Sequence, residues 1–450
     1  MKTLKYSMMV MVVILAMIYV PVSFGAVSPE EAAKLGTTLT GFGAEKAGNK
    51  DGTIPAYTGG LAKPPASYKP GSGVYTDPFA GEKPLFSINA QNMAQYADKL
   101  TEGTKVMMKR HSTFRIDVYK TNRTVAYPDF VIKNTAKNAV KATTYDGGVS
   151  MKDANGGIPF PIPKDGYEIM WNHLARYQGR AREIEFKSII VDSNGRLILS
   201  GVINLVEENP YYDENRTRSD AKMLYKELTV FKGPPRVAGM IYLVFDYGRE
   251  RVVYMYLPGQ RRVKLAPEVA FDTPDASSGG SVVQDEDWVF NGSLERYDWK
   301  LVGKKEVYVP YNSYITNHLI KREQLYGPNH FNPDKVRWEL HRVWVVDAIL
   351  KPGKRHIYPK RRFYVDEDSW CALASENYDG KGFLNKIAYG HQNPRYDVLA
   401  PDSSLFVSYN VIANNYVGHI WMGEGGYNRQ VEVTPENIWT PASIAGMGVR

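Results

Sequence analysis

Apolar and polar residues alternate with a period of two through the middle of the chain, the pattern of strands with one wet face. Ile184, Phe186 and Ile190 alternate with Glu183, Glu185 and Lys187. Leu197, Leu199, Ile203 and Leu205 line the returning strand, and Ser193-Asn194-Gly195 joins the two, because Asn-Gly tolerates the positive φ of a tight hairpin. Strands are predicted over 240–245, 251–257 and 262–265, linked by turns at Asp246-Tyr247-Gly248 and Pro258-Gly259. Further strands are predicted over 305–309, 336–350, 356–358, 361–365 and 370–376, with turns at 351–354 and 366–369. Phe114, Ile116 and Val118 alternate with Arg115, Asp117 and Tyr119 in an earlier strand. Helical spacing is confined to 28–36, 89–109 and 167–177. Residues 273–281 read as irregular, 288–299 as helix or loop, and 391–450 gives no clear elements. The expected class is α+β, a large antiparallel sheet with helices on one side.

The ends add a compartment and a partition. Lys2 and Lys5 precede an apolar run from Met8 to Val20, and Ser23-Phe24-Gly25 offers small residues where a signal peptidase reads. That run of about 13 residues is short of the ~20 needed to span a bilayer. The expectation is Sec export, cleavage after Gly25 and a periplasmic product that is not an integral membrane protein. Residues 40–84 are rich in Gly and Pro, yet Ile54, Tyr57, Leu61, Tyr68 and Tyr75 anchor them, so an ordered arm is expected. The partition is a signal peptide (1–25), an N-terminal arm with helices (26–110), the sheet domain (111–400) and a C-terminal extension packed on it (401–450).

Chemistry is sparse. One cysteine, Cys371, allows neither an internal disulfide nor a thiolate metal site. No G-x-S-x-G elbow, P-loop, dinucleotide fingerprint or H-E-x-x-H occurs, and the eight histidines lack ligand spacing. Neither cofactor, metal nor catalytic residue is assigned. Asp366-Glu367-Asp368 reads as an acidic hairpin turn. The net charge is +8, or +6 without Lys2 and Lys5. Lys354, Arg355, Lys360, Arg361 and Arg362 cluster around strand ends, either as solvated ends or as a patch for anionic head groups or an acidic partner. Nothing resembles a nucleic-acid recognition element. Aromatic and aliphatic side chains on the predicted elements supply candidate cavity residues: Trp171, Leu199, Ile203, Tyr254, Tyr256, Trp338, Trp344 and Phe363.

Several long segments also carry a family likeness: G-F-G-A-E-K-A-G-N-K-D-G-T-I-P-A-Y-T-G-G (41–60), N-M-A-Q-Y-A-D-K-L-T-E-G (92–103), G-G-I-P-F-P-I-P-K-D-G-Y-E-I-M-W-N-H (156–173), Y-L-P-G-Q-R-R-V-K-L-A-P (256–267) and L-K-P-G-K-R-H-I-Y-P-K-R-R-F-Y-V-D-E-D-S-W (350–370). They resemble the proteobacterial domain-of-unknown-function family 1329. The resemblance implies a fold related to the periplasmic lipoprotein carriers LolA and LolB, an incomplete antiparallel barrel with helices on its concave side. It also implies a setting beside exporters of the resistance-nodulation-division type and outer-membrane proteins. The expected function is carriage of lipid or another hydrophobic molecule. The rivals are a structural accessory subunit of an export complex and a periplasmic hydrolase or polysaccharide-binding protein.

Overall fold

The computed structural model describes residues 26–213 and 223–448, so the expected signal peptide, 1–25, lies outside the described residues. The N-terminal part holds α1 (Pro29–Ala32), β1 (Phe86–Ile88), α2 (Glu102–Arg110), β2 (Ile116–Val118) and α3 (Asp129–Ala139). The small hairpin of β3 (Thr143–Tyr145) and β4 (Ser150–Lys152) follows, then α4 (Gly166–Leu174). A meander comprises β5 (Ala181–Val191), β6 (Leu197–Glu208), β7 (Tyr225–Gly233), β8 (Ile241–Asp246), β9 (Arg251–Leu257) and β10 (Arg262–Leu265). After a stretch without strands come β11 (Tyr297–Pro310), α5 (Arg322–Leu325), β12 (Arg337–Leu350), β13 (Lys360–Asp366), β14 (Ala372–Tyr378) and β15 (Leu384–Gly390). The chain ends with β16 (Phe406–Asn410), β17 (Asn415–Trp421), β18 (Tyr427–Gln430) and α6 (Pro441–Gly448).

Among the described residues, sixteen strands form one open sheet, ordered β1-β2-β12-β13-β14-β15-β16-β17-β5-β6-β7-β8-β9-β10, with β11 paired to β12 and β18 to β5. The class is α+β and the sheet is an incomplete barrel. β16 and β17 lie between β15 and β5, so the sheet runs straight through the boundary expected at 400. Its curl follows from reach. Residues 285–291 bond to side chains on β13, β15, β17, β7 and β9. Ten strands from β13 to β9 would spread over about 43 Å if flat. Seven residues span at most about 24 Å, so the sheet wraps around them.

Local chemistry explains the elements and the departures from expectation. Ile184 pairs with Leu205 and Phe186 with Ile203 on the buried face, while Glu183, Glu185 and Lys187 stay half-exposed outside. A register shift between Ser188 and Ile189 changes the phase by one residue, so Ile189 and Val191 turn inward in place of Ile190. The helix expected over 89–109 is broken, because Leu100 and Thr101 are extended and Thr101 caps α2 by accepting from the Thr104 amide at 3.0 Å. Residues 356–358 lie in the β12–β13 connection, and β14 starts at Ala372 because Trp370 takes a positive φ of 57° inside the turn. Of 288–299, the first part is loop and β11 begins at Tyr297.

α4 is capped by Asp165, which accepts from the Glu168 amide at 2.9 Å, and nearly all of it is buried against β11 and β12 on the concave side. α6 packs on the convex face, where Ile444 and Trp439 cover Leu228, Ile241, Leu243 and Tyr256. Ile444→Asp will put a charge into that apolar contact and cost about 2 kcal/mol or more. Limited proteolysis checks this: clipping near 435–448 is expected well before global unfolding. Among the described residues no helix is long and apolar enough to cross a membrane.

Candidate functional site

The concave face of the sheet is occupied by the chain itself. Residues 266–296 cross it, with Val282, Val283, Trp288, Val289 and Phe290 buried as apolar filler. Three consecutive acids, Asp285, Glu286 and Asp287, then meet cations on separate strands. Asp285 accepts from Arg361 Nη1 at 2.9 Å and lies 3.0 Å from His356 Nε2. Glu286 accepts from Lys386 Nζ at 3.0 Å and from Asn377 Nδ2 at 3.1 Å. Asp287 Oδ1 is 3.3 Å from His419 Nε2. Next, the Arg182 guanidinium lies 5.9 Å from the Trp288 ring centroid, and Asn291 bonds to Tyr225 and Arg251. Trp288 and Val289 adopt φ of 50° and 71°. A β-branched residue there is strained, and such strain persists only where the surroundings impose it, as the ion pairs on this segment do.

The buried charges are unevenly matched. Burial pushes Asp285 up, but Arg361 and His356 hold its carboxyl below the usual range. Burial raises Glu227 to about 7 and Asp287 to about 6. Burial opposes the charge on His419, yet Asp287 and Asp275 together leave that imidazole above its ordinary value. Glu227, Asp287, Asp275 and His419 border a cavity of about 60 Å³ under residues 266–296, the plug of the concave face, also lined by Arg251, Tyr225 and Thr229. At roughly 10–15 Å³ per water it holds a few waters, whereas small-molecule sites run to about 300–1,000 Å³.

A wider opening lies at the end of the sheet that carries the β8–β9 turn. The cleft measures about 700 Å³ and is bounded by the β3–β4 hairpin, Trp171 of α4, Tyr211, Leu224 and the Tyr247–Glu250 turn. Trp171 donates its indole N–H to the Gly148 carbonyl at 2.9 Å, which fixes the ring beneath the hairpin. Met151 and Leu224 add apolar wall, and Lys152, Arg249, Asp153 and Glu250 bring charges of both signs, with Arg249 paired to Asp146 at 2.7 Å. Among the described residues no group of three or more His, Cys, Asp or Glu is arranged to hold a metal ion.

A family model described as "Protein of unknown function (DUF1329)" matches residues 87–445. The chain belongs to the DUF1329 family. An uncharacterized protein of Pseudomonas aeruginosa is 39% identical over 467 residues, covering 100% of both chains. A DUF1329 family protein of Desulfovibrio piger is similar in structure with a TM-score of 0.43 at 16% identity, covering 62% of this chain and 97% of that one. A putative outer membrane lipoprotein-sorting protein domain of Vibrio parahaemolyticus gives 0.42 at 17% identity, covering 62% and 98%. A LolA superfamily protein of Nitrosomonas europaea gives 0.35 at 9% identity, covering 62% and 98%.

In this DUF1329 chain the candidate residues from the sequence are scattered. Trp171 lines the cleft. Ile203 and Phe363 are fully buried on the concave face, Phe363 with its ring 5.4 Å from that of Phe290 in the plug. Leu199 is half-buried beside Ile189. Tyr254 and Tyr256 face the other way, into the cluster under α6. Trp338 packs 5.1 Å from Tyr389, and Trp344 lies under the Lys304 ammonium at 4.5 Å. The basic group also divides. Lys354 and Arg355 are exposed, Lys360 sits over Tyr378, Arg362 forks onto Asp347 at 2.6 and 2.8 Å, and Arg361 is fully buried on Asp285. Asp366-Glu367-Asp368 is a turn, buried and held by Arg123, Lys304 and Arg342. Sequence reasoning missed Asp285, Glu286, Asp287, Glu227 and His419. The acidic triplet between V-V and W-V-F was the available signal, since three acids flanked by apolar residues must find partners if that segment is buried.

Proposed function

We propose that this chain is a non-enzymatic cell-envelope protein that binds and carries a hydrophobic or amphiphilic molecule such as a lipid. The supporting observation is the 700 Å³ cleft, with Trp171, Met151 and Leu224 as apolar wall and charged residues of both signs at its edge. Its volume falls within the roughly 300–1,000 Å³ of small-molecule sites, and apolar burial contributes about 25 cal/mol per Å². Ile203 and Phe363 would meet ligand only after the plug moved aside. The export signal read from the N-terminus supports a periplasmic setting, and the family likeness supports work beside an exporter of the resistance-nodulation-division type and an outer-membrane protein.

Mass spectrometry of an extract from gently purified protein tests the reading, together with titration by a fluorescent fatty acid. Saturable binding is expected, weakened about tenfold or more by Met151→Asp, because a buried Met side chain contributes about 1.5–3 kcal/mol. An extract free of lipid and no saturable binding would remove the carrier and leave the accessory subunit. That second reading draws on one observation, the filling of the concave face by 266–296, which leaves a cavity of about 60 Å³ lined by Trp288 and one of about 220 Å³ lined by Phe271.

A further inference from the structure

Strand order places six connections at one end of the curled sheet: 192–196, 234–240, 258–261, 351–359, 379–383 and 411–414. They follow one another around the rim, neighbouring tips about 10 Å apart because each pair of strands adds two spacings. Three of them, and the first residues of β6 next to a fourth, expose large apolar side chains: Phe383 is 65% exposed, Ile412 60%, Ile357 48%, Ile198 43% and Leu197 37%. None of these five points into the core, and single exposed apolar residues would need no explanation. Five along one edge are a pattern.

Cations alternate with them. Arg196, Arg236, Arg261, Lys351, Lys354, Arg355 and Lys381 lie on these tips, with Arg262 next to one of them. The two acids on the tips, Asp192 and Asp379, are turned to local use. Asp192 accepts from the Asn194 and Arg196 amides and from Arg196 Nε, and Asp379 accepts from the Lys381 and Phe383 amides. Behind the 351–359 connection, Glu295 is 3.7 Å from Lys354 and Asp272 pairs with Arg296 at 3.1 Å. The acidic turn Asp366–Asp368 lies at the opposite end, between β13 and β14.

We propose that this rim docks the protein on an anionic lipid bilayer. Apolar tips that enter the head-group region, flanked by Lys and Arg that pair with lipid phosphates, are the composition of an interfacial membrane site. The end of a curled sheet presents its tips as an arc that one flat surface can meet, and the cleft then faces away from the lipid. This inference is independent of whether the cleft carries a ligand, because it rests on other residues.

Flotation of the chain 26–450 with vesicles of phosphatidylcholine alone, or mixed with phosphatidylglycerol, tests it. Binding is expected to the mixed vesicles, at least tenfold weaker to phosphatidylcholine alone, and lost as salt is raised. Phe383→Ser/Ile412→Ser and Lys354→Glu/Arg355→Glu should each weaken it tenfold or more while leaving the melting temperature unchanged, since all four side chains are at the surface. Lys63→Glu/Lys69→Glu, the same charge change in the exposed arm, should bind like the parent. Equal binding to neutral vesicles, no binding to either, or rim variants that bind like the parent would each overturn the proposal. Capture of an acidic protein by the rim without vesicle binding would overturn it too.

Discussion

Arg361→Ala will destabilise the chain by about 3–5 kcal/mol, the cost of leaving a buried charge without its partner. The guanidinium is fully buried, donates to Asp285 and Asn377, and lies over the Phe290, Tyr358 and Phe363 rings. Removing it leaves the Asp285 carboxylate with the His356 ring nitrogen at 3.0 Å as its remaining partner on that side and opens a gap beside Phe290. Urea unfolding followed by tryptophan fluorescence reads the change as a lower midpoint. The double variant Arg361→Leu/Asp285→Leu separates charge from packing. Replacing a buried pair by apolar residues is often neutral, so it should recover most of the loss. A single variant within about 1 kcal/mol of the parent would show that the plug is held by its apolar residues and not by its ion pairs.

Glu227→Gln will act in the opposite direction, by an amount that grows as pH rises above 4.5 and levels off above about 7. Burial raises the Glu227 carboxyl from 4.5 to about 7. A folded value above the unfolded one means the native state holds the proton more tightly. The contribution of this group is therefore fully present below the unfolded value and is lost as pH rises through about 7. An amide carries no such penalty and can still pair with the Thr229 hydroxyl. At about pH 8 the variant should be more stable than the parent by about 2–3 kcal/mol, and at about pH 5 the two should nearly coincide. Comparing the two proteins across pH cancels the buried histidines His173, His318 and His391, whose lowered values act on both alike. A constant difference between parent and variant at all pH values would contradict the assignment.

What was legible in the sequence was local. The β5–β6 hairpin, the β8–β10 meander and the turn at 366–369 could be read because alternation and turn residues record a strand with two different faces. β16 left no such record, because both of its faces are buried and the alternation vanishes. For β9 the run V-V-Y-M-Y-L is apolar on both faces, so the side taken by Tyr254 and Tyr256 depended on α6, which lies far along the chain. Trp171 stands out as an aromatic on a predicted helix, and that helix is α4, whose residues are nearly all hidden. The pairing of the acids at 285–287 left no trace, since their partners at 361, 386 and 419 lie many residues away and only the curled sheet brings them together.

The insertion of β16 and β17 between β15 and β5 has a consequence for how the chain is made. Those two strands are synthesised after nearly everything they join. Until Trp421 has left the ribosome, β5 and β15 are bare edges separated by a gap two strands wide, and such edges pair readily with other chains. Contacts of such long sequence separation also form slowly. Completion of the wall is therefore a late event, and a chain that stops short of it is set up to aggregate.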